Sequence, residues 1–265
     1  MPLISSKGVR QTPWSEGQNV RQLEPLGFIK FDILGLSTLR MIEGCIERVL
    51  REQGNPDPSF KEIKAFYDEF LHPDKIDLNN QDIYENIFHE GKWAGIFQFT
   101  EKGAQGFAKR AQPNSIIDIA AITSIYRPGP LSAGVDKQYV RAINDTLSIS
   151  YIHPLVEEVT KETYGFLIFQ EQIALLAYKL GEGITMDHEV KEQIKKKFVE
   201  GCNNKDIPKA DAEELWATFE YFSGYGFNKS HAVSYSIISY QCAYLYNYYP
   251  AEWMCSFLDR EPDTK

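Results

Sequence analysis

The order of apolar and polar positions predicts a mainly helical chain with a few short strands, an α+β class. Phe28 to Ile33 alternates apolar and charged residues, the period of a half-buried strand. After residue 37 the helical period takes over. Leu39, Ile42, Ile46, Val49 and Leu50 share one face of a helix that Ser37 or Thr38 can cap and that runs to about Gln53. Gly54-Asn55-Pro56-Asp57-Pro58 stops it. Residues 59–71 predict a short helix with Phe60, Ile63, Phe66, Tyr67 and Phe70 apolar, and Gln81 to Phe88 a further turn or two closed by Gly91. Trp93 to Phe99 is strand-like. Thr100 is the expected cap of a helix carrying Lys102, Phe107, Lys109 and Arg110, and Ser115 to Ser124 is an apolar helix. It stops before Arg127-Pro128-Gly129-Pro130, where two prolines fix φ.

Helical pieces follow at 135–143 and 154–161, then a predicted strand at Gly165–Phe169 and a helix from Gln170 to Leu180, broken by Gly181 and Gly183. Lys191–Gly201 and Ala210–Phe222 predict helices, and Ser230 to Tyr248 a long one ended by Pro250. Residues 1–26, with Pro13, Gly17 and Pro25, predict a loop and a short helix leading into the Phe28–Ile33 strand. No internal repeat or low-complexity stretch interrupts the chain. Its 265 residues suffice for one large domain or two.

Several residues in this framework could carry chemistry. Lys30 and Asp32 sit two apart on a strand and so point to one side. A cation beside a carboxylate suits a metal–phosphate group; for the strand alone, a salt-paired surface strand is the commoner reading. Arg127, held in a Pro-Gly-Pro bend, is preorganised for phosphate or carboxylate, or to cap the preceding helix. Gly224-Tyr225-Gly226-Phe227 leads into Asn228-Lys229-Ser230-His231 at the start of the last long helix. With Ser230 as N-cap, free backbone N–H groups and Lys229 would face one space, a ready anion site. Ser234 and Gln241 are expected on the face of Ser230, and Tyr235 beside His231, while Val233, Ile237, Tyr240 and Tyr244 form a core face. Gln170-Glu171-Gln172 reads as a structural set bonding across subdomains.

Lys30-Phe31-Asp32-Ile33-Leu34-Gly35-Leu36 resembles the last catalytic-strand motif of the C-family bacterial replicative DNA polymerases, the alpha subunit of DNA polymerase III. Further blocks resemble the fingers of the same family, in the same order. They are Gly95-Ile96-Phe97-Gln98; Tyr126-Arg127-Pro128-Gly129-Pro130-Leu131; Thr163-Tyr164-Gly165 with Gln170-Glu171-Gln172; and Gly224 to His231, followed by Ser239-Tyr240-Gln241 and Tyr249-Pro250-Ala251-Glu252. The resemblance implies the end of a palm over residues 1–37 and a helical fingers domain over 38–265. It implies template-directed DNA synthesis from deoxynucleoside triphosphates by two-metal nucleotidyl transfer, with Mg²⁺ as cofactor. Asp32 would be a catalytic metal ligand and Lys30 a triphosphate contact. Arg127, Asn228, Lys229, Ser230 and His231 would line the nucleotide, with His231 near the sugar. Lys102, Lys109, Arg110, Lys195, Lys196 and Lys197 would approach DNA, or else form solvated helix faces.

Two departures qualify the resemblance. The family's Asp-x-Asp pair is absent; Asp57 and Asp74 lie in proline-rich loops and do not replace it. The chain is therefore expected to need a palm portion carrying that pair, alongside primer–template DNA, nucleotide and other replisome proteins, and to be inactive alone. The alternative is a non-catalytic module that binds primer–template or nucleotide. The family's longer basic insertion is also missing between Ile184 and Lys191; Lys195, Lys196 and Lys197, which follow, could compensate in part.

Composition adds limits. A net charge of −9 sits badly with a nucleic-acid binder, although the lysines cluster locally and a polymerase needs carboxylates of its own. Cys45, Cys202, Cys242 and Cys255 show no C-x-x-C spacing, which argues against a zinc site or disulfide framework and fits a reducing cytoplasm. No apolar run reaches the ~20 residues of a membrane span, and Met1-Pro2-Leu3-Ile4 lacks the pattern of a signal peptide.

Overall fold

A computed structural model describes residues 4–11, 27, 35–181, 191–223 and 226–260. The chain divides into two compact units, Met1–Ser37 and Thr38–Lys265. In the first, β1 (Ile4–Ser6) and β2 (Val9–Gln11) pair antiparallel, Ile4 opposite Gln11 and Ser6 opposite Val9. Lys7 and Gly8 both have positive φ, +50° and +78°. That is the two-residue turn whose twist matches a hairpin, so the expected loop-and-helix reading of residues 1–26 is corrected over 4–11. The expected strand at Phe28–Ile33, with Lys30 and Asp32, lies outside the described residues.

The second unit is helical, as the periodicity predicts. Its elements are α1 (Ser37–Glu52), α2 (Phe60–Phe66) running into a π-turn, α3 (Gln81–Ile83) doing the same, α4 (Lys102–Ala111), α5 (Ile116–Ile125), α6 (Pro128–Ser132) and α7 (Val135–Ile143). There follow α8 (Pro154–Thr160), α9 (Gln170–Leu180), α10 (Lys191–Asn203), α11 (Lys209–Ser223), α12 (Lys229–Tyr248) and α13 (Pro250–Leu258). Ser59 caps α2 through a reciprocal box with Glu62, and Ser115 caps α5.

Two cores organise this unit. In the larger, α12 packs on α5. Small buried residues on both helices, Ala120 and Ala121 on α5 and Ala232, Ser236, Ser239 and Ala243 on α12, permit a close approach. Buried polar hooks fix its neighbours. The Gln241 amide donates to the Leu71 carbonyl at 2.7 Å, the Tyr240 hydroxyl to Asp77 O at 2.7 Å, and Trp253 Nε1 to Ala94 O at 2.8 Å. The smaller core joins α8, α9, α10 and α11 around Leu176, Leu180, Phe198, Trp216 and Phe219.

Phe169, buried in the larger core at the head of α9, pairs with Phe227 as a single parallel bridge. Gln170 N donates to Phe227 O at 2.9 Å and Phe227 N to Ile168 O at 3.1 Å. Only this bridge remains of the strand expected at Gly165–Phe169. Trp93–Phe99, also expected as a strand, is a series of turns. Gly95 and Gln98 stand at positive φ, +72° and +64°, which breaks an extended run. A side chain at Gly95 would meet Trp253 at 2.9 Å.

Candidate functional site

The start of α12 is built from its own sequence and from two carboxylates. Asn228, not Ser230, is the N-cap: its Oδ1 accepts the His231 N–H at 2.8 Å. Ser230 sits inside the first turn and is exposed. Glu171, at the head of α9, reaches this end with both oxygens. Oε1 accepts from Asn228 Nδ2 at 3.0 Å and Oε2 from the Lys229 N–H at 2.8 Å. The Lys229 ammonium pairs with Glu162 Oε1 at 2.5 Å and lies 5.8 Å from the centre of the Phe169 ring. Polar groups and a cation meet here, as expected of an anion site, and the anions in place are side chains of the protein.

Arg127 approaches Phe227, the residue before Asn228. It is the N-cap of α6, with Pro128 setting the first helical position. Its guanidinium lies 3.7 Å above the centre of the Phe227 ring instead of capping the preceding helix. Partial burial lowers its pKa from the ordinary value, yet a guanidinium stays charged at any physiological pH. The Phe227 ring meets His231 edge-on at 5.3 Å; His231 lies against Tyr235 at 4.1 Å, and Tyr235 against Phe97 at 5.3 Å. The expected pairing of His231 with Tyr235 is thus present. Beside Arg127 opens a groove of about 490 Å³, lined among others by Gln98, Thr100, Glu101, Thr123 and Tyr126. The result is a continuous cation–aromatic row from Arg127 to Phe97, with Lys229 two residues after Phe227 in sequence.

Residues 57–206 match the bacterial DNA polymerase III alpha subunit finger domain. The chain belongs to this family. It is similar to DNA polymerase III subunit alpha of Campylobacter jejuni, 34% identical over 255 residues, and of Rickettsia prowazekii, 35% identical over 257. The same subunit of Aquifex aeolicus is 33% identical over 252 residues. These alignments cover 91–92% of the chain and 20% of each relative. The chain thus spans about a fifth of the length of the relatives it matches. Arg127, Glu162 and Glu171 fall within the matched finger-domain range, and Phe227 to Tyr235 lie beyond it.

Other residues expected at a DNA polymerase III alpha site are distributed more widely. Lys102, Lys109 and Arg110 are exposed on α4. Lys109 Nζ reaches Glu90 O at 3.4 Å and Arg110 stands 4.0 Å from Asp136. On α10, Lys196 and Lys197 are exposed and Lys195 half-buried. Lys195 and Lys196 line a separate groove in the smaller core with Asn203, Lys209 and Glu213, and Lys196 lies 3.9 Å from Glu200. Gln241, expected on the face of Ser230, is buried beside Tyr67 and Leu71. Lys30, Asp32 and the segment 184–190 lie outside the described residues.

Within the set Gln170-Glu171-Gln172, the Glu171 side chain reaches α12, whereas Gln172 bonds within its own segment. The Gln172 side chain, buried, accepts from the N–H groups of Ile168 and Phe169 at 2.9 and 3.0 Å and donates to Val159 O and Thr163 Oγ1. Sequence reasoning missed two site residues, Phe227 as the platform under Arg127 and Glu162 on Lys229. Phe227 lay within a quoted motif, but its partner is remote in sequence. Among the described residues no three His, Cys, Asp or Glu side chains gather as a metal cage, and none of their helices is long and apolar enough to cross a membrane.

Proposed function

We propose that the chain forms the fingers of a DNA polymerase of the DNA polymerase III alpha type and takes part in template-directed synthesis from deoxynucleoside triphosphates. The observation that carries this reading is the row Arg127–Phe227–His231–Tyr235 along the head of α12, the helix that Lys229 opens. Arg127 and Lys229 supply a planar and a point cation for the phosphates. Asn228 and Ser230 supply the polar edge of the same corner. His231 and Tyr235 offer a ring surface to sugar and base. The basic residues Lys102, Lys109, Arg110, Lys195, Lys196 and Lys197 are proposed contacts for the backbone of primer–template DNA, salt-dependent in strength.

Lys30 is proposed as a further triphosphate contact. Asp32 is proposed to give one carboxylate to a Mg²⁺ site completed by residues of a palm portion outside these 265 residues. Mg²⁺ there would neutralise charge on the phosphates. The lack of an Asp-x-Asp pair in the sequence favours a second reading, a module that binds nucleotide or primer–template without catalysing.

Calorimetric titration with a deoxynucleoside triphosphate tests the proposal. Arg127→Ala and Lys229→Ala are each expected to weaken binding roughly tenfold, the scale of one charge-assisted hydrogen bond. Unchanged affinity in both would sink it. Primer extension by the chain together with a palm portion, lost in Asp32→Ala, separates the catalytic reading from the binding one.

A further inference from the structure

We infer that Glu162 is a built-in stand-in for phosphate, a carboxylate that holds the Lys229 ammonium until an incoming phosphate displaces it. The inference rests on the reading of Lys229 as a phosphate contact and adds a residue that sets how tightly that contact is made.

The two carboxylates at this corner differ in kind. Glu171 engages the backbone: it takes the Lys229 N–H and the Asn228 amide, one with each oxygen, and so ties α9 to the start of α12. It is a latch, and its loss would loosen the helix. Glu162 engages only the mobile end of a side chain, through a single ion pair to Nζ. It stands in the 3₁₀ turn Lys161–Thr163, which follows α8 directly. Both partners are about a third exposed, 31% for Lys229 and 38% for Glu162, so solvent weakens the pair and the ammonium can change partner without unfolding anything. Among the described residues no backbone N–H donates to the Glu162 carboxylate beside this pair.

A polyphosphate brings several charges and more acceptors than one carboxylate, and it can win Lys229 from Glu162. Until it does, the ammonium has a fixed place near the Phe169 ring. The exchange therefore lowers affinity by the strength of the pair while keeping Lys229 in position.

The test is a double-mutant cycle read by calorimetry, with inorganic tripolyphosphate as the probe and the whole chain as receptor. Glu162→Gln is expected to tighten binding roughly fivefold, the upper range for an exposed ion pair. Lys229→Ala weakens binding, and in that background Glu162→Gln gives no further gain. A structural role for Glu162 would not make its effect depend on Lys229. Two results overturn the inference while leaving the phosphate reading of Lys229 standing. One is a Glu162→Gln protein that binds no tighter while Lys229→Ala binds weaker; the other is an equal gain from Glu162→Gln with and without Lys229, which would mark general charge repulsion. A Lys229→Ala protein that binds as well as the parent overturns the phosphate reading and this inference together.

Discussion

The guanidinium of Arg127 rests on the ring of Phe227, 3.7 Å from its centre, although the two residues are far apart in sequence. The contact fixes a cation beside the larger core, at the residue whose backbone also pairs with Phe169 at the head of α9. Phe227→Leu keeps that backbone pairing and removes the platform. The stacked pair should contribute ~1 kcal/mol, seen as the coupling energy in a urea-denaturation cycle with Arg127→Met. Strict additivity of the two substitutions would show that the contact stabilises nothing.

Gln172 should be among the most sensitive polar positions. Its side chain satisfies two backbone N–H groups and two oxygens in the interior. Gln172→Ala strands those groups at 1–3 kcal/mol each where water cannot reach them. The expected loss is about 3 kcal/mol in urea denaturation. A loss under about 0.5 kcal/mol, the range of an ordinary surface change, would contradict the network.

Two helical glycines should respond with opposite sign. A Cβ at Gly201 would come within 2.5 Å of the Leu180 carbonyl oxygen and 2.9 Å of Gly181 Cα, both backbone atoms. Gly201→Ala should therefore cost about 1–3 kcal/mol by overpacking. At Gly106 only a flexible arginine end lies near, at 3.4 Å, and Gly106→Ala should gain up to about 1 kcal/mol from helix propensity. Thermal unfolding of the two variants checks both signs.

Alkali should destabilise the fold through its buried thiols. Burial pushes Cys202 up to about 11, and burial with help from Glu252 pushes Cys45 up to about 12; Cys242, also buried, rises to about 12. A thiol whose folded pKa is above its unfolded value keeps its proton longer in the native state. Stability is then full below the ordinary value of 9.0 and falls as pH rises towards 11–12. Each group steepens the fall by up to about 1.4 kcal/mol per pH unit. Under reducing conditions the urea midpoint should drop between about pH 8 and about pH 10.5; a constant midpoint would contradict the buried placement.

The helical framework was legible because its faces repeat at the helical period. Leu39 to Leu50 predicted α1 to within a residue of its end at Glu52. The corner Asn228–His231 was legible as a helix start, but Ser230, the expected cap, stands two residues past the actual one, Asn228. Ser230 and Asn228 are both good caps, and only the tertiary grip of Glu171 on Asn228 and Lys229 distinguishes them. Trp93–Phe99 misled because aromatic residues at alternate positions look like a strand, whereas those rings fill a core around turns set by Gly95 and Gln98. The stack of Arg127 on Phe227 and the pairing of Glu162 with Lys229 are long-range contacts, and local patterning holds no record of them.

Photolabelling gives the most direct test that Arg127 and the head of α12 form a nucleotide site. The chain is irradiated with a deoxynucleoside triphosphate carrying a photoreactive base, digested, and the adduct mapped by mass spectrometry. The account predicts a label within Phe227–Tyr235, suppressed by excess unmodified nucleotide and lost in Arg127→Ala with Lys229→Ala. A label confined to the groove of Lys195, Lys196 and Lys209, with Phe227–Tyr235 unmarked, would contradict it.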